Sequence, residues 1–129
     1  MRIYFSGDSE PMVTGKASEH STTASRVREF LAGRDEELFL PADVHGSPAP
    51  YDVFLKGIRL SRSAGPVLMC LSPGGELCVA GSSATLEQWA ERFVFAPNID
   101  AEHRHIDSRF DWVAPASFGI IIEIDDHDA

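Results

Sequence analysis

Apolar and polar positions along the chain predict two hairpins, each followed by a helix. The stretch "PVLMCLSPGGELCVAG", residues 66–81, is two apolar segments around Pro-Gly-Gly, a strong hairpin signal. In "MRIYFSGDSEPMVTG", residues 1–15, Gly7-Asp8 occupies the same turn and Pro11 weakens the second strand. In the second helix Leu86, Trp89, Ala90 and Phe93 recur at i, i+3, i+4 and i+7, and Thr85 with Gln88 offers a capping box. The first helix is rich in Ser and Thr, yet Ala24, Val27, Phe30 and Leu31 supply a buried face and Gly33 ends it. Strand chemistry then returns, as "EELFL" and "YDVFLKGIRL" in the first half and as "EHRHID" and "SFGIIIEID" in the second. The connecting loops are "PADVHGSPAP" and "SRFDWVAPAS".

The two halves also align with each other. Laid without gaps on positions 68–93, positions 2–27 give identities at Ser6/Ser72, Glu10/Glu76, Val13/Val79, Gly15/Gly81, Ala24/Ala90 and Arg26/Arg92. Apolar pairs fall at Ile3/Met69, Phe5/Leu71, Met12/Cys78 and Val27/Phe93. The reading is an α+β fold of internally duplicated ββαββ units, approximately 1–62 and 66–126, with an antiparallel sheet and two helices packed on one side. Each unit alone is small for a core, so residues 1–129 are expected to form one domain.

The composition, 43% hydrophobic and 24% charged, is that of an ordinary globular protein. No run is long and apolar enough for a membrane span, and the N-terminus does not read as a signal peptide, so a cytoplasmic location is expected. The net charge of −9 is divided unequally. Residues 1–65 hold nine Asp and Glu against eight Lys and Arg; residues 66–129 hold eleven against three, Arg92, Arg104 and Arg109. An acidic field repels nucleic acid and steers a basic partner, so a protein partner is expected and nucleic acid is not.

Cys70 and Cys78 flank the second hairpin turn, and their counterparts in the first copy are Tyr4 and Met12. Those positions ask for apolar side chains, so the pair reads as structural free thiols. No nucleophile, dithiol, metalloprotease or phosphate-loop motif occurs, and neither a cofactor nor a catalytic residue is expected. His103, His105 and Asp107 alternate along "EHRHID" and would share one strand face; they are the metal-ligand set of an alternative reading, a small metal-dependent hydrolase. His20, His45 and His127 are scattered. Against the metal reading, "EELFL" in the first copy is an ordinary strand without histidine, so the strand's place in the fold needs no metal. The loop "DSRFDWVAPASF" carries Phe110, Trp112 and Phe118 among charges, which suits interface anchors as well as a lid on the core. A third reading is a homodimer formed through an open sheet edge or the small-residue face of Cys70, Cys78 and Ala80.

The hairpin "PVLMCLSPGGELCVAGS", a helix, then "EHRHID", "WVAPAS" and "FGIIIEID" together resemble the immunity protein 32 family of bacterial polymorphic-toxin systems, over residues 65–125. The resemblance implies a cytoplasmic antidote that binds and neutralises a cognate toxin. A basic toxin domain would meet the acidic second half, with Asp100, Glu102, His103, His105, Asp107 and Asp111 as partner contacts and Trp112 as apolar anchor.

Overall fold

The computed structural model describes residues 1–96 and 103–125. In chain order the elements are β1 (Arg2–Phe5), β2 (Met12–Gly15), α1 (Ala17–Ala32), β3 (Glu37–Pro41), β4 (Val53–Phe54), β5 (Gly57–Arg62), β6 (Leu68–Leu71), β7 (Leu77–Gly81), α2 (Ser83–Glu91), β8 (His103–Ile106) and β9 (Ile120–Ile124). They form an α+β fold with one sheet ordered β4-β1-β2-β9-β8 (sheet A) and another ordered β3-β5-β7-β6 (sheet B). Both expected hairpins are present, β1 with β2 and β6 with β7.

Each sheet joins a hairpin from one half of the chain to the antiparallel strand pair that ends the other half. The junctions, β2 with β9 and β5 with β7, are parallel, so both sheets are mixed rather than antiparallel. Local patterning shows hairpins, but not a pairing between strands near opposite ends of the chain. The two sheets also match in register. Val13 pairs with Ile122 in sheet A as Val79, which aligns with Val13 in sequence, pairs with Leu60 in sheet B.

One face of each sheet turns inward. Ile3, Val13, Ile120 and Ile122 of sheet A share a single core with Ile58, Leu60, Met69, Leu77 and Val79 of sheet B. The helices pack against each other and contribute Ala24, Val27, Phe30, Leu86, Trp89 and Ala90 to that core. Phe93 lies just beyond α2 and is fully buried. The Lys16 amide donates to Glu19 Oε1 at 2.9 Å, and the Ser82 amide to Thr85 Oγ1 at 3.0 Å. The second cap therefore begins at Ser82, one turn before the expected Thr85–Gln88 box. Ser82 is extended and its hydroxyl accepts from the Thr85 amide, while Gln88 is exposed.

"YDVFLKGIRL" is not one strand. Val53–Phe54 belongs to sheet A, and the chain crosses to sheet B at Gly57. A Cβ at Gly57 would overlap the Leu40 carbonyl oxygen and the Phe39 ring, so only glycine permits this crossing. Chain segments run along β1 and β6 in matching ways, the first of them containing β4. Residues 43–55 bond along β1 through Asp43 N to Met1 O and Leu55 N to Ile3 O. Residues 112–118 bond along β6 and its approach through Val67 N to Trp112 O and Phe118 N to Met69 O. Among the described residues no helix is long and apolar enough to cross a membrane.

Candidate partner-binding site

Strand β8 is an edge of sheet A, and its alternation sorts the candidate residues. Arg104 pairs with Ile122 and Ile106 with Ile120, so both point inward. His103 and His105 point outward, their rings 5.5 Å apart. Asp107 follows the strand on the same side, next to Gly119. Asp100 and Glu102 lie outside the described residues, as does His127.

Asp107 is not a free carboxylate. Arg109 donates Nη2 to its Oδ2 at 2.8 Å and Nε to its Oδ1 at 3.0 Å. The guanidinium holds the Asp107 carboxyl below its ordinary range, chiefly through these side-chain hydrogen bonds. The pairing also removes one donor from the proposed metal set. Among the described residues no group of three His, Cys, Asp or Glu is placed to hold a metal ion. His105 meets another carboxylate instead, with Nδ1 4.0 Å from Glu10 Oε1. Glu10 reaches it across Gly119, where a Cβ would overlap the Glu10 carboxylate. Sequence reasoning missed this convergence, because Glu10 and His105 are brought together only by the parallel β2–β9 junction.

The inner side of β8 is held by arginines. Arg104 lies over the Phe95 ring at 4.2 Å and donates to the Val94 carbonyl at 2.8 Å. Arg92 lies over the Phe110 ring at 5.0 Å and donates to the His105 carbonyl at 3.1 Å. Together they fasten the end of α2 to β8. Arg92, Arg104 and Arg109 also line one open cleft of about 780 Å³ with His103, His105, Glu91 and Phe110. The three arginines and two histidines are all the basic residues of the acidic half other than His127, and their scarcity was the signal in the sequence that could have found the cleft. Among the described residues the surface around Asp107 is of mixed charge.

Of the loop aromatics, Phe110 and Trp112 stack at 5.1 Å. Both, with Phe118, are half-buried against the core, so Trp112 serves as a lid with one exposed part. Asp111 is exposed. Cys70 and Cys78 are free and paired across β6 and β7 on the outer face of sheet B. No protein-family model, curated protein or solved structure matches this chain.

Proposed function

We propose that this protein is an immunity-type antidote that acts in the cytoplasm by binding a cognate bacterial toxin and blocking it. The observation that carries the reading is the surface at the β8 edge. His103 and His105 face outward on β8 with Asp107 beside them, exposed Asp111 follows in the next loop, and half-exposed Trp112 stacks on Phe110 of that loop, on a chain of net charge −9. A half-buried aromatic beside exposed polar groups is the composition of an interface anchor and its rim. The acidic balance favours a basic partner through faster encounter more than through tighter contact.

The test is co-purification with the product of a toxin gene adjacent to this one. Asp111→Arg is expected to slow association several-fold with little change in dissociation, and Trp112→Ala to speed dissociation. Failure of the purified pair to associate would overturn the reading.

A further inference from the structure

The outer faces of the two sheets differ at one telling position. In sheet B the row Cys70–Cys78–Arg59–Phe39 runs across four strands. Arg59 lies over the Phe39 ring at 4.8 Å and donates to both carboxylate oxygens of Glu76, at 3.1 and 2.9 Å. Ring, cation and carboxylate are thus satisfied within the chain.

In sheet A the matching row is Tyr4–Met12–Ile121–His105. His105 takes the place of Phe39 and Ile121 that of Arg59, while Glu10 aligns with Glu76 in the sequence. The carboxylate and the ring are retained but the guanidinium between them is not. Among the described residues Glu10 has only the long 4.0 Å approach to His105 as an ion pair. Arg109 is paired with Asp107 and is drawn on electrostatically by Glu10 as well, while Arg2 is paired with Asp43 and lies over the Phe54 ring at 5.6 Å. The row continues into an aromatic cluster in which Tyr4 lies 5.1 Å from Tyr51 and 5.1 Å from Phe54. Exposed Asp8 and Asp52 border that end.

We propose that the outer face of sheet A is the docking face for a basic protein. The partner places an arginine over Ile121, beside Glu10 and the His105 ring, and an apolar neighbour against Tyr4 and Met12. The arginine would repeat in trans what Arg59 does within sheet B, and the acidic border selects the sign of the partner's charge. The inference rests on the protein-binding reading for the class of partner, and adds the face and the side chain recognised.

The test is a titration of ¹⁵N-labelled protein with the peptide acetyl-Gly-Leu-Arg-Leu-Gly-amide, and with the same peptide carrying Gln for Arg. Expected are amide shifts at Met12, Ile121 and His105 with the Arg peptide alone. Glu10→Gln should weaken binding about fivefold, the effect of losing one charge pair of about 1 kcal/mol. Ile121→Arg, which supplies the cation internally, should abolish it while the remaining spectrum keeps its dispersion. Shifts centred on the Arg59 row or the arginine cleft, equal response to both peptides, an unchanged affinity in Glu10→Gln, or no shifts at millimolar peptide would each overturn the proposal. The probe contains no toxin, which separates the two ideas. Peptide docking without toxin association would refute the antidote reading alone. Toxin association indifferent to Glu10→Gln and Ile121→Arg would refute this face alone.

Discussion

His20 Nε2 lies 2.8 Å from the carbonyl oxygen of Glu123, a hydrogen bond from α1 to β9 across the two halves of the chain. The imidazole is fully buried, packed at 5.8 and 5.6 Å from the rings of Phe93 and Phe95. With Nε2–H donating to the carbonyl, Nδ1 accepts nothing among the described residues. At the position that aligns with it in the second half stands Leu86, equally buried, so a polar ring stands where the other half has an aliphatic side chain.

This burial makes stability depend on pH. Desolvation lowers the His20 pKa below its ordinary 6.5; the Glu123 carbonyl and Glu19 oppose the shift, and the amino terminus adds to it. The unfolded chain therefore takes up a proton that the folded chain resists. The contribution is complete above the ordinary value and is lost as pH falls below it toward the folded value. His20→Leu should stay within about 1 kcal/mol of the parent at pH 7 and show a flatter decline toward pH 5. Urea unfolding across that range checks it; an unchanged slope would assign the acid sensitivity to other groups.

Two glycines should respond differently to alanine. At Gly57 the added methyl meets a backbone carbonyl and a packed ring, neither of which can yield cheaply. Gly57→Ala should cost about 2 kcal/mol or more. At Gly119 it meets mainly the flexible Glu10 carboxylate, although Asp107 Cβ is also close. Gly119→Ala should cost less and displace Glu10 from His105. Thermal melts rank the two, and the His105 side-chain resonances report the displacement.

The thiols should also be distinguishable. Cys70 is exposed, whereas Cys78 is half-buried and its pKa is raised, first by burial. Iodoacetamide near neutral pH should label Cys70 first, with Cys78 reacting only as the pH becomes more alkaline. Peptide mass analysis reads the order; equal rates would contradict it.

Because each sheet borrows strands from both halves, neither half should fold alone. Residues 1–64 lack the β9 partner of β2, and residues 65–129 lack the β5 partner of β7. Each fragment should give a poorly dispersed NMR spectrum, and an equimolar mixture should recover the dispersion of the intact chain. A folded isolated half would refute this account of the core.

The candidate site was only partly legible. The alternation that puts His103 and His105 on one face survives, since β pleating is local. Capture of Asp107 by Arg109, two residues away, was visible as a spacing but not as a geometry. The approach of Glu10 was invisible, because it depends on which strand lies beside β9.

The sequence by itself determined the elements: two hairpins, two amphipathic helices and the strands that follow them, each set by a strand or helix periodicity. The same order, hairpin, helix and then strands, recurs in the two halves. Only the tertiary structure decided that the hairpin of each half pairs with the closing strands of the other, and that "YDVFLKGIRL" divides between two sheets. Hydrophobic patterning fixes which face of a strand is buried, but the apolar face is the same whichever strand lies alongside. The neighbour is chosen by packing the whole core at once, and it is that choice which places Glu10, Ile121 and His105 on one outer face.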